Sequence, residues 1–240
     1  MIEIDGKWIM EGLDRNDDRR IKTSTELTDF INDFGFLPLF KNTVPGFSVE
    51  EMSAAQGWFG GIAGEDPWEW REVIAEEGKL AYGKLFANRA GFISREWYPV
   101  FAAYRRNGYD FDSRYEDGLA SYRAKKIMDV LDQVDVIPSN ELKAAAGFGK
   151  GGEKGFEGVM TQLQMQTYIT VQSFRRRVNK KNEEYGWSVA NFTLSEKLFG
   201  AEHVRSQYHL SQTEAKQRIM DRVIAKLPAA DASEIEKIIR

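Results

Sequence analysis

A chain of 240 residues, 42% apolar and 12% aromatic, can bury one sizeable core or two small ones. No apolar run approaches the ~20 residues a membrane span needs, and the lack of cysteine excludes disulfides and thiolate metal sites. The formal net charge of −4 argues against an anionic partner, yet residues 141–181 carry eight basic side chains against Glu141, Glu153 and Glu157, so positive charge is concentrated on one segment. The N-terminal "MIEIDGKWIMEG" has neither a basic flank nor a long apolar centre, so a reducing, cytoplasmic location is expected.

In chain order, Leu27, Phe30, Ile31 and Phe34 line a first helix capped by Ser24 or Thr25 and ended by Gly35. The turn-rich "LPLFKNTVPGFSVEEM" follows. In "EDPWEWR", Asp66 fits an N-cap, Pro67 the first helical position and Glu69 the third, so a helix runs from there to Gly78 with its tryptophans mostly in the core. "KLAYGKLFANRAGFIS" reads as a hairpin turning at Asn88 to Gly91, and "REWYPVFAAYRR" as another helix. In "YDFDSRYED", Asp110, Asp112, Glu116 and Asp117 lack the order of a calcium loop. Arg105, Arg106 and Arg114 alongside make a salt-linked connection the expected role.

From about Asp117 to Val134, Ala120, Ala124, Ile127, Met128, Leu131 and Val134 line one helix face. Pro138 stops it; Ser139 then caps a short helix ended by Gly147. "GFGKGG" matches G-x-G-x-x-G by letter, but it follows a helix instead of a strand, so it reads as a connecting turn. Phe156, Val159, Met160 and Leu163 form a third helix. Then the period changes: Met165, Ile169 and Val171 alternate, "NKKNEEYG" turns, and "WSVANF" returns as a second strand. Beyond Thr193 the chain reads as helical, with starts at Ser211 and Asp231. His203 and His209 lack partners at metal-ligand spacing, so neither a metal nor a cofactor is expected.

Three helices followed by a basic hairpin is the layout of a winged helix, with the third helix offered to a DNA groove and the wing lying over phosphates. The predicted fold is therefore α+β, a winged-helix DNA-binding architecture. It comprises an N-terminal helix and hairpin domain over residues 1–113 that forms a second winged-helix-like unit, a winged-helix domain over 114–195, and a helical C-terminal segment over 196–240. Double-stranded DNA is the expected partner. Lys150 and Lys154, before a helix N-terminus, with Arg175, Arg176, Arg177, Lys180 and Lys181 on the hairpin, are the expected phosphate contacts.

The stretches "GFLPLF", "GFSVEE", "DPWEWR", "YGKLFANRAGFISREWYPVFAAYRRNGYDFDSRYEDGLA", "SNELKAAAGFGKGGEKGFEG", "LQMQTYI" and "NKKNEEYGWSVA" resemble the small bacterial proteins labelled AlkZ-related, which are tied to the YcaQ and AlkZ type of crosslink-repair DNA glycosylase. The resemblance implies tandem winged helices and excision of damaged bases. Those glycosylases carry a Gln-apolar-Gln or Gln-apolar-Asp pair at their active site, and Gln164-Met165-Gln166 has that pattern. On a strand the two amides would share one face, placed to orient a water or to bond a flipped base. A carboxylate near the sugar is also wanted, and Asp110, Asp112 and Glu157 stand open as choices. Two other readings remain beside excision: a non-enzymatic DNA-binding regulator or repair accessory, and a protein-interaction module.

Overall fold

The computed structural model describes residues 2–4, 7–178, 181 and 184–240, with side chains over 9–176, at 181 and from 186 onward. A small antiparallel pair, β1 (Ile2–Ile4) and β2 (Lys7–Ile9), precedes the body of the molecule. The first unit comprises α1 (Ser24–Phe34), β3 (Phe36–Pro38), α2 (Val49–Met52), a 3-10 segment (Ala55–Gly60), α3 (Pro67–Glu77), β4 (Leu80–Phe86) and β5 (Arg89–Ser94). Next come α4 (Tyr98–Arg106) and α5 (Phe111–Glu116). The second unit comprises α6 (Tyr122–Gln133), β6 (Ile137–Pro138), α7 (Ser139–Ala145), α8 (Phe156–Met165), β7 (Ile169–Val178) and β8 (Glu184–Leu194). The chain ends in α9 (Ser195–Phe199), α10 (Ala201–Arg205), α11 (Gln212–Lys226) and α12 (Ala232–Ile239).

Both units follow one plan: helix, short strand, two further helices, then a hairpin whose second strand pairs with the short strand. Their sheets have the orders β3-β5-β4 and β6-β8-β7, and they join through β4 and β7 into one antiparallel sheet of six strands, β3-β5-β4-β7-β8-β6. The joining pair is antiparallel, in register at Tyr82 and Val171. Antiparallel pairing of equivalent strands places the units about a local dyad. Correspondingly, α3 of the first unit packs on β7 of the second, and α8 of the second on β4 of the first.

Capping chemistry explains most helix ends. Asp66 accepts the Trp68 N–H, Pro67 opens α3, and Gly78 closes it at φ +66. Thr23 caps α1 by accepting the Glu26 N–H, one residue before the Ser24 that the sequence suggests. Ser121, not Asp117, starts α6, which buries Ala124, Ile127 and Leu131. At Ser211 the capping box is complete: the hydroxyl accepts the Glu214 N–H and the Glu214 carboxylate accepts the Ser211 N–H. The C-terminal helices return to α4 and the first unit. There α11 lies on α4 and α12 reaches β4, while Arg222 donates to the Phe34 carbonyl at 2.8 Å.

Four expectations need correction. Ser139 does not cap α7 but is its first residue, after Pro138 and with no side-chain cap. The first hairpin turns at Ala87 and Asn88, both at positive φ, and Arg89 to Gly91 already belong to β5. The strand does not begin at Met165: α8 continues through Met165 with Gln166 as its C-cap, and β7 starts at Ile169. The helix is ended by Thr167, held left-handed at φ +63 with its carbonyl accepting from the Tyr98 hydroxyl at 2.7 Å. Nor do Arg105 and Arg106 serve the acidic connection. Arg105 donates to the Ile239 carbonyl at 3.0 Å, and Arg106, with 0% exposure, pairs with Glu196.

Leu131 and Leu163 lie in the core with 0% and 1% exposure. Leu131→Ala or Leu163→Ala is expected to cost about 3 kcal/mol of stability, read as a shift in denaturation midpoint; less than about 0.5 kcal/mol for both would contradict the assigned helix faces.

Candidate functional site

The dyad leaves a cavity of about 640 Å³ between α3 and α8 at the seam of the sheet. Its size falls within the range usual for small-molecule sites. The sheet contributes Tyr82, Val171, Phe174 and Phe192, and α8 contributes Glu157, Met160 and Gln164. Trp68 and Arg71 come from α3, and Phe40 completes the aromatic lining. Among the described residues, four cationic side chains, Lys41, Arg71, Lys84 and Arg89, line the cavity against one carboxylate, Glu157.

Arg71 is clamped in place. Its guanidinium lies 3.9 Å from the Trp68 ring centroid and 4.2 Å from that of Phe174, with Nη2 donating to Glu72 Oε1 at 3.1 Å. Its side chain is 4% exposed and burial lowers its pKa, while Nε has no hydrogen-bond partner. The indole Nε1 of Trp68 is a second buried donor without a partner. Buried donors left unmade are costly, and here two belong to residues lining one cavity. Burial pushes the Tyr82 phenol up to about 12, which keeps it neutral and excludes it as a base at neutral pH.

Gln164 is in the cavity lining but nearly covered, at 4% exposure. Its Oε1 accepts the Lys84 N–H at 2.9 Å and its Nε2 donates to the Met160 carbonyl at 3.0 Å, so the amide fastens α8 to β4. Gly83 makes room for this: a Cβ there would lie 2.9 Å from Oε1. Gln166 does not share this cavity. It lines a separate groove between α8 and the β4–β5 turn with Asn88, Gln162, Lys237 and Arg240. Because both glutamines sit at a helix end, two residues apart, they point to different faces instead of one.

Of the expected phosphate contacts, Lys150 and Lys154 are exposed in the glycine-rich loop, and Arg175, Arg176 and Lys181 are exposed on the hairpin. The Arg177 side chain and Lys180 lie outside the described residues. Among the described residues, none of these cations lines the central cavity. The cations that do, Lys41, Arg71, Lys84 and Arg89, come from the first unit, where the sequence pattern suggests no site. One signal could have found them: Gly83 within a strand pattern marks a close backbone approach. Among the three carboxylates left open, the structure separates Glu157, in the central cavity, from Asp110 and Asp112, which line a different cleft beside α6. Asp110 caps α5 by accepting the Ser113 N–H, which holds its carboxyl below the usual range.

The family described as AlkZ related matches residues 21–240. No curated protein matches the chain. Among solved structures, the Streptomyces sahachiroi DNA glycosylase AlkZ is similar at 15% identity and a TM-score of 0.40, over 68% of this chain and 44% of that one. The chain thus spans less than half the length of that protein. No helix among the described residues is long and apolar enough to cross a membrane.

Proposed function

The chain belongs to the AlkZ-related family, and from that premise we propose that it binds double-stranded DNA through paired winged-helix units and excises a damaged base received in the central cavity. The division of labour would follow residues 1–113, 114–195 and 196–240, in a cytoplasmic protein. The repeated plan of each unit supports the winged-helix reading, since the short strand pairing with the last strand of the hairpin is what makes the hairpin a wing.

The observation that carries the excision reading is the lining of the 640 Å³ cavity. An extruded base stacks on aromatic faces and is read at its polar edge. Trp68, Tyr82 and Phe174 offer the faces, Arg71 and Trp68 bring unpartnered donors, and Glu157 is the carboxylate able to stabilise positive charge on a sugar as the glycosidic bond breaks. Gln164 would act as a positioning residue, setting α8 against β4, with Gln166 outside the reacting centre. The test is incubation of the purified protein with alkylated and crosslinked duplexes, with free base and abasic sites as the expected products.

A second reading, a DNA-binding accessory without chemistry, is favoured by the amide of Gln164, whose oxygen and nitrogen are both engaged within the protein. Salt-dependent duplex binding without base release would select it.

In both readings the wing contributes phosphate contacts. Replacing Arg175 and Arg176 together with alanine is expected to flatten the log–log salt dependence of duplex binding by about 0.9 for each phosphate no longer neutralised. An unchanged slope would remove the wing from the interface.

A further inference from the structure

The local dyad sets α3 and α8 as opposite walls of the central cavity, and their chemistry has diverged. At the second and fifth residues of the helix, α3 brings Trp68 and Arg71 where α8 brings Glu157 and Met160. One wall therefore carries a carboxylate beside a thioether, the other a guanidinium beside aromatic rings.

The α3 wall holds a cation of its own. The Arg71 guanidinium lies over the rings of Trp68 and Phe174, 3.9 and 4.2 Å from their centroids. The ring quadrupoles that would draw a positively charged ligand are thereby already occupied. The remaining charges offer a cation no more. Glu72 is paired with Arg71, and Lys41 with Glu11 at 2.9 Å, which leaves Lys84 and Arg89 against Glu157. Hydrogen-bonding capacity on this side is also one-sided. Arg71 Nε and Trp68 Nε1 are donors without a partner. The Tyr82 phenol, in the same lining and close enough for the Arg71 charge to act on it, is kept protonated by burial and makes no hydrogen bond among the described residues.

A ring suited to this side is flat, uncharged and edged with acceptors. Guanine and hypoxanthine have such an edge at O6 and N7, whereas alkylation at N7 removes one acceptor and makes the ring cationic. The chemistry of release points the same way. Hydrolysis breaks the glycosidic C–N bond with its electron pair passing to the base nitrogen; the hydroxyl of water joins the sugar carbon and its other proton goes to the base. A cationic base leaves neutral. An uncharged base leaves with negative charge, which a guanidinium and a phenol at its carbonyl oxygen stabilise. We infer that the central cavity selects an uncharged, carbonyl-bearing base, its acceptor edge toward Arg71 and Tyr82, over a cationic ring-alkylated one. The inference rests on the reading that this cavity receives an extruded base.

The test has two arms, both on the full chain. In the first, inosine and 7-methylinosine are titrated by calorimetry at mildly acid pH, where the methylated ring is cationic, with the uncharged 1-methylinosine as a control for bulk. Inosine is expected to bind saturably, and 7-methylinosine at least about tenfold more weakly than either uncharged nucleoside. Tyr82→Phe should weaken inosine about twofold to tenfold. Arg71→Met, which copies Met160 of the opposite wall, should narrow the gap between inosine and 7-methylinosine; Tyr82→Phe keeps its ring and decides the matter if Arg71→Met does not fold. No inosine binding below about 10 mM, 7-methylinosine as tight as inosine, an equal loss with 1-methylinosine, or unchanged inosine affinity in Tyr82→Phe would overturn the inference. In the second arm, release of hypoxanthine and of 7-methylguanine from duplexes is measured, each divided by its spontaneous loss, and the larger enhancement is expected for hypoxanthine. Release of 7-methylguanine alone would leave excision standing and overturn this inference. Nucleoside binding in the expected order with no release of either base would overturn excision and leave the ligand class standing.

Discussion

Arg106→Ala is expected to destabilise the protein by about 3–5 kcal/mol, seen as a lowered denaturant midpoint with little change in slope. The guanidinium has 0% exposure and joins three parts of the chain. Its Nη1 pairs with Glu196 and donates to the Tyr208 hydroxyl at 3.2 Å, its Nε donates to Thr167 Oγ1 at 3.1 Å, and its Nη2 donates to the Thr167 carbonyl. The plane also lies 4.4 Å from the Tyr168 ring centroid. Burial alone would lower its pKa, but the Glu196 carboxylate and the Tyr208 and Tyr98 hydroxyls outweigh that and raise it, so the side chain stays charged. Removing it strands Glu196 and releases the left-handed Thr167 that ends α8. Arg106→Lys should recover only part of the loss, because a lysine cannot make the forked contacts to Thr167 and Glu196 together. A loss below about 1 kcal/mol for Arg106→Ala would show that this network is not what fixes the junction of α8 and β7.

If the central cavity excises bases, Glu157→Gln should lower the rate of base release by about 100-fold, roughly 2.7 kcal/mol of transition-state stabilisation, while duplex affinity stays level or rises. The substitution is nearly isosteric at an exposed helix position, so stability should move by no more than about 0.5 kcal/mol. Gln164→Ala should behave differently. It leaves the Lys84 N–H without its acceptor and should cost about 1–3 kcal/mol of stability, so its rate must be compared at equal folded fraction. Full base release in Glu157→Gln would remove that carboxylate from the chemistry. Asp110 and Asp112 could not take its place there, since they line another cleft.

The order of elements, the presence of both hairpins and the caps at Asp66, Ser211 and Asp231 are legible because each rests on local chemistry, such as Asp66 before Pro67 and Ser211 with Glu214. The stretch "LQMQTYI" misleads because Met165 is off the apolar face formed by Phe156, Val159, Met160 and Leu163 and so reads with the β-branched residues that follow, whereas the contacts that fix Thr167 after the helix come from Tyr98 and Arg106, some sixty residues away. Arg105 and Arg106 read as partners of the acids next to them in sequence, whereas the groups they meet, the Ile239 carbonyl and Glu196, lie 134 and 90 residues away. The cavity is least legible of all. Gln164 and Lys84 are 80 residues apart, and nothing local in either segment announces that β4 will lie beside β7.

The β4–β7 seam has a consequence for self-association. A lone three-stranded unit would leave β4 or β7, seven and ten residues long, as an open edge able to recruit a strand from another molecule. Joined, each satisfies the other. The outer strands are β3 and β6, three and two residues long; β3 is buried along its length, and each ends in a proline, Pro38 and Pro138, which has no N–H to offer an incoming strand. The extended sheet is therefore closed to polymerisation along its hydrogen-bonding direction, by mutual cover at its centre and by short, proline-ended borders outside.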